Sequence, residues 1–169
     1  MNKQSLFFTC LVAVFSTALM IMALEFLTKK LNIKKETEDK INTSYTIWAT
    51  SFFITFFMFL KVALEQTENA IEVIIYSQEI NNTFMEVMQR IVIFIGFTFF
   101  FTFLAYFITN LVFKFSYGNK IDSYEIERNN TGYFIIKGTV LFLLVVSLMS
   151  VFEHFLRWFA PTINTPFFH

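Results

Sequence analysis

The chain has 169 residues, of which 56% are hydrophobic, 20% aromatic and only 15% charged, with 26 phenylalanines and a formal net charge of zero. Soluble domains run at about 45–50% apolar and about 25% charged residues, so an ordinary soluble domain is excluded and the composition is that of a membrane protein. A mean hydropathy of +0.57 agrees.

Charge-free runs place the spans, because about 20 apolar residues rising about 1.5 Å each cross a hydrocarbon core about 30 Å thick. No Asp, Glu, Lys or Arg falls within Gln4 to Leu24, Ile41 to Leu60 or Ile91 to Phe113. A fourth run, Gly138 to Phe152, extends through Tyr133 to Ile136 on one side and to Phe155 on the other, which requires Lys137 to reach back toward the headgroups. The apolar residues come in solid blocks and do not alternate, so helices are expected and a β-barrel is not. The predicted fold class is all-α, a polytopic four-helix transmembrane bundle forming a single integral membrane domain over residues 1–169. Lys3 ahead of an apolar stretch has the look of a signal peptide, but the run is long and no small-residue cleavage site follows, so it reads as a retained first span.

Basic residues beside spans resist translocation and orient the bundle. Loop one carries Lys29, Lys30, Lys34, Lys35 and Lys40, and loop three carries Lys114, Lys120 and Arg128. The opposite side has Lys3, Arg90 and Arg157, together with the acidic loop two of Glu65, Glu68, Glu72, Glu79 and Glu86. Loops one and three are therefore predicted in the cytoplasm, with loop two and both termini outside it. The zero net charge is the sum of two opposed surfaces and says nothing for or against nucleic acid, which is not among the expected partners. Tyr45, Trp48 and Tyr133 are expected as aromatic anchors at the inner interface, and Trp158 and Phe159 at the outer one. The tail from Pro161 to His169, with a second proline at Pro166, is expected to lie non-helical along the outer interface. Within loop two, Gln66 to Gln89, the cluster Ala70, Ile71, Val73, Ile74, Ile75 and Tyr76 predicts an amphipathic segment lying on the outer surface. Thr83 and Glu86 make a capping-box pattern that opens the third helix before the bilayer.

An internal repeat is the most informative pattern. An offset of 88 residues aligns Asp39, Lys40, Asn42, Thr43, Ser44, Tyr45 and Ile47 with Glu127, Arg128, Asn130, Thr131, Gly132, Tyr133 and Ile135, and without a gap places Glu65 on Glu153. Each unit, about 1–80 and about 81–169, holds two spans, so the repeats are parallel and related by an axis along the membrane normal.

Glu65 and Glu153, at corresponding span ends, are the candidates for taking up protons or cations. The simpler reading pairs Glu65 with Lys61 and Glu153 with Arg157, each four residues away on one helix face. Glu25 has Lys29 at the same spacing. Asn42 and Asn130, followed by Thr43 and Thr131, precede the second and fourth helices and are expected as N-caps; the alternative is a polar ring at the mouth of a pathway. Thr9, Ala13 and Thr17 on the first helix, Ser51 and Thr55 on the second, and Thr98, Thr102, Ala105 and Thr109 on the third are small-polar faces suited to close packing. The phenylalanines are assigned to lipid contact and bundle packing. Cys10 is the single cysteine, which leaves no partner for disulfide exchange or a thiolate zinc site within one chain. His154 and His169 are too few and too distant for a metal site, and there is no Gly-rich phosphate loop and no Ser nucleophile elbow, so neither cofactor nor catalysis is expected. The Asn-x-Ser/Thr patterns at Asn42, Asn81 and Asn129 carry little weight.

At Glu38 to Trp48 and Glu125 to Gly138 the chain resembles the bacterial inner-membrane family known as domain of unknown function 350, whose four helices form two units, each with an acidic-x-x-x-Gly-Asn approach to its second helix. The Asn is matched by Asn42 and Asn130, while Ile41 and Asn129 stand where the Gly belongs, and Tyr45 and Tyr133 replace small residues that follow. The resemblance implies a small bacterial inner-membrane protein without established catalysis, and it supplies no catalytic residues. The expected function is therefore non-enzymatic: an oligomeric scaffold, or a subunit of an envelope membrane complex, whose partners are the lipid bilayer and other membrane subunits. The alternative is a proton- or cation-coupled channel or transporter using Glu65 and Glu153. A membrane enzyme with an anionic cofactor would need a basic cluster, and Arg90, Arg128 and Arg157 are scattered.

Overall fold

The structure is a computed structural model that describes residues 3–37, 40–76 and 82–161. Glu38, Asp39, Glu79, Asn81 and the tail after Pro161, His169 included, lie outside the described residues. The order of elements is α1 (Lys3–Lys30), β1 (Glu36–Thr37), β2 (Lys40–Ile41), α2 (Thr43–Tyr76), α3 (Thr83–Tyr117), α4 (Asp122–Glu127) and α5 (Thr131–Arg157). The chain is all-α apart from the two-residue antiparallel pairing of β1 with β2. Helices α1, α2, α3 and α5 are each long and apolar enough to cross a membrane.

The helix ends follow from local chemistry. α1 finishes on Lys29 and Lys30, which favour the negative end of the helix dipole. Asn32 follows in the left-handed region at φ 51, and the Asn32 and Ile33 amides donate to the Lys29 and Thr28 carbonyls at 3.2 and 3.0 Å, a Schellman closure. α2 does not stop where the charges begin. Nothing from Gln66 to Tyr76 breaks a helix, so the expected surface segment is instead a continuation of α2. Its Ile71 and Ile74 pack with Val87 of α3 and Phe8 of α1. α3 does begin well before its charge-free run, but its cap is Asn82, whose side chain accepts from the Met85 amide at 3.2 Å. The Thr83 and Glu86 box does not form, because Thr83 is already helical and Glu86 pairs with Arg90 at 3.5 Å.

α2 is the hub of the bundle, packing on α1, α3 and α5, while α3 also packs on α5. α2 and α5 approach so closely that a Cβ on Gly138 would run into the Ser51 hydroxyl, the kind of contact by which small residues join membrane helices. Thr98, Thr102, Ala105 and Thr109 of α3 are fully buried, as their spacing predicts. Their hydroxyls donate back to the carbonyls of Phe94, Thr98 and Ala105 at 2.7–2.9 Å, so they fill the interface without bonding across it. On α1 the buried line is Val12, Ser16, Met20, Leu24 and Thr28, one position away from the expected Thr9, Ala13 and Thr17, which are half-buried. Phe52, Phe56, Phe59, Phe94, Phe134 and Phe152 fill the core, whereas Phe7, Phe15, Phe26, Phe107 and Phe115 face outward. α1 is carried by α2 and is parted from α3 by an apolar cleft of about 550 Å³.

Candidate functional site

Lys137 lies two turns into α5, and helical side chains lean toward the N-terminus of their helix. It therefore points to the end of the bundle that carries the hairpin and α4, as expected, but it does not reach headgroups. Its residue is 3% exposed, and its ammonium donates to both carboxylate oxygens of Asp122, the first residue of α4, at 2.5 and 2.6 Å. The Tyr106 hydroxyl on α3 donates to the same carboxylate, and the Tyr133 hydroxyl on α5 donates to its other oxygen at 3.4 Å. Trp48 of α2 donates its indole N–H to the Tyr106 oxygen at 3.1 Å. The Lys137 ammonium also sits over the Tyr106 and Tyr133 rings, 5.0 and 5.5 Å from their centroids. Two charges taken out of water are tolerable only when their mutual attraction is supplemented by further hydrogen bonds, and the tyrosines supply them.

Trp48 and Tyr133, expected as interface anchors, are thus inside the bundle, at 2% and 8% exposure. Trp158 does face outward. The signal for the cluster is present in the sequence: a lysine inside an otherwise uncharged span requires a partner. What the sequence does not carry is the path of the loop that brings Asp122 back over it.

That path is set by asparagines. Asn42 accepts from the Ser44 and Tyr45 amides at 2.8 and 3.3 Å, and Asn130 accepts from the Tyr133 amide at 3.4 Å, so both cap their helices as expected. Their amide N–H groups then bind α4: Asn42 donates to the Ile126 carbonyl at 2.7 Å and Asn130 to the Glu125 carboxylate at 2.6 Å. Asn129 sits in the left-handed region at φ 52, and its side-chain oxygen accepts from the amide and the hydroxyl of Ser44 at 3.1 and 3.0 Å. Lys34, in the loop before β1, pairs with Glu127, and Lys120 lies 3.8 Å from Glu125. Glu25 makes its direct ion pair with Lys35 at 3.2 Å, because the turn after α1 brings Lys35 back alongside, while Lys29 at the expected spacing adds a weaker attraction.

Glu65 lies 3.8 Å from Lys61 and Glu153 2.5 Å from Arg157, each along its own helix. Glu65 borders a groove between α1 and α2 together with Thr9, Thr17 and Lys61, and Glu153 is not part of that groove. Exposed pairs at this spacing contribute little, so Glu65→Gln and Glu153→Gln are each expected to shift stability by less than about 0.5 kcal/mol. Thermal unfolding in detergent checks this, and a loss several times larger in either variant contradicts it. Cys10 is exposed on α1. Among the described residues, no group of three or more His, Cys, Asp or Glu could hold a metal ion.

The family model described as Domain of Unknown Function (DUF350) matches residues 2–152. The chain belongs to that family. No curated protein and no solved structure matches it. Asn129 sits at φ 52, a backbone that Gly reaches freely and that Asn tolerates better than other residues, at the position where the resemblance noted above leads one to expect Gly. The corresponding Ile41 is in the strand β2, where no such tolerance is needed.

Proposed function

We propose that this DUF350 protein is a non-enzymatic integral membrane protein that serves as an oligomeric scaffold or as a subunit of an envelope membrane complex. The observation that carries the proposal is where its ionisable groups go. The buried or nearly buried charges Lys137, Asp122 and Glu125 are bonded within the bundle, where they join α3, α4 and α5 to one another, and the cavity that Lys137 lines with Trp48 and Tyr106 is only about 10 Å³. The open flank supports the same reading. α1 is carried by α2 alone among its strong contacts, and a bundle in that state has helix surface available to other subunits in the bilayer. We place the protein in the bacterial inner membrane with both termini outside the cytoplasm, on the distribution of basic residues. The two-unit repeat belongs to this proposal, supported by α2 and α5 beginning at Thr43 and Thr131 behind the matched caps Asn42 and Asn130.

Mass measurement in native nanodiscs tests the proposal: a complex of more than one chain, or co-purified membrane subunits, is expected, and a strictly solitary monomer contradicts it. Gly96 lines the α1–α3 cleft with nothing near its missing Cβ, so Gly96→Trp is expected to project its ring into that cleft. Its melting temperature is expected to stay near that of the wild type. Reporter fusions at the C-terminus check the orientation. The cation-coupled alternative is tested by liposome flux, since it requires conduction that Glu65→Gln and Glu153→Gln diminish.

A further inference from the structure

We propose that the donor cluster of Tyr106, Tyr133 and Lys137 at the hairpin end is a binding site for a small monocarboxylate, occupied here by Asp122 acting as a tethered ligand. The receptor groups and the carboxylate come from different kinds of structure. Lys137 and Tyr133 are on α5, Tyr106 is on α3 and Trp48 on α2, all long, mutually packed helices. The carboxylate alone comes from a six-residue helix in a loop bounded by Gly118 and Asn129, both at positive φ, 79 and 52. Donors therefore converge from rigid elements on one acceptor from a short element. The ammonium engages both carboxylate oxygens and a tyrosine hydroxyl engages each, which is the arrangement for recognising a planar anion rather than a single oxygen. Trp48 fixes the Tyr106 oxygen from behind, so that the Tyr106 proton is directed at the carboxylate. The Asp122 side chain beyond its Cα is equivalent to acetate, which sets the size of ligand that the site accepts. α4 has other attachments in the buried Ile126, its carbonyl bond from Asn42, and Lys34 to Glu127, so it can stay near the bundle when its carboxylate is replaced. The site does not depend on the scaffold role proposed above, and its test reads one chain in detergent.

The test is chemical complementation of Asp122→Ala in the full chain. Its melting temperature is expected to fall, and sodium acetate or formate is expected to recover about half or more of the loss, as a ligand that binds only the folded state does. Sodium chloride at equal ionic strength, and bulky benzoate, are expected to recover none. The wild type, whose site is filled, and Asp122→Ala/Lys137→Met, which lacks the ammonium, are expected not to respond to acetate. If Asp122→Ala is lost on extraction in chloride, the yield of folded protein extracted in acetate is the readout and is expected to rise. Absence of recovery, equal recovery in chloride, or recovery that persists without Lys137 overturns the proposal.

Discussion

Lys137→Met is expected to destabilise the protein by about 3–5 kcal/mol, the range for removing one partner of a buried ion pair. The methionine fills much the same volume, so the loss is electrostatic rather than steric: the Asp122 carboxylate, whose side chain is 10% exposed, keeps only the tyrosine donors. A buried carboxylate without its cation loses the attraction that offsets its desolvation. The double variant Lys137→Met/Asp122→Asn separates these effects. The Asn amide oxygen still accepts from tyrosine hydroxyls and carries no charge, so the double variant is expected to be more stable than Lys137→Met alone. Unfolding midpoints of the two single variants and the double variant give the coupling directly. A Lys137→Met protein as stable as the wild type, or strictly additive losses, would mean that the pair does not hold α4 to the bundle.

The spans were legible because charge-free blocks of this length have no other economical placement, and α1, α2, α3 and α5 contain all four of them apart from Ile41 and Asn42. The helix ends were less so, since a charged residue at a membrane surface does not terminate a helix; Lys61 and Glu65 sit in the middle of α2. α4 was not legible at all. Asp122 to Glu127 is too short to show a helical period, and it is held by tertiary ties to Asn42, Lys34 and Lys137 rather than by its own propensity. The cap role of Asn42 and Asn130 could be read locally, because a cap acts within three residues of itself. The Lys137 partner could not, since Asp122 is fifteen residues away and its return depends on a left-handed Asn129. Local chemistry was readable where it acts along the helix, and unreadable where a loop folds it across.

Asn42→Ala is expected to cost about 2–4 kcal/mol, from the loss of a helix cap together with a carbonyl left without its donor. Asn42 is 4% exposed, so water does not readily replace what the side chain supplied. Its oxygen holds the first amides of α2 and its N–H group holds the Ile126 carbonyl of α4, across 84 residues of chain. Asn42→Ser keeps an oxygen for the cap and gives up the cross-tie, so it is expected to fall between the wild type and Asn42→Ala. Asn130→Ala is expected to cost less than Asn42→Ala: its cap bond is longer, at 3.4 Å, Asn130 itself is half-buried, and the Glu125 it leaves retains Lys120 at 3.8 Å. Unfolding midpoints rank the three variants, and hydrogen exchange at the α4 amides distinguishes the two functions of Asn42, since Asn42→Ser and Asn42→Ala should loosen α4 alike while only Asn42→Ala frays the start of α2. Equal losses at Asn42 and Asn130 would mean that capping alone accounts for both asparagines. Unequal losses would mean that the two caps differ in role, because Asn42 ties α2 to an element remote in sequence, whereas Asn130 binds Glu125 within its own loop.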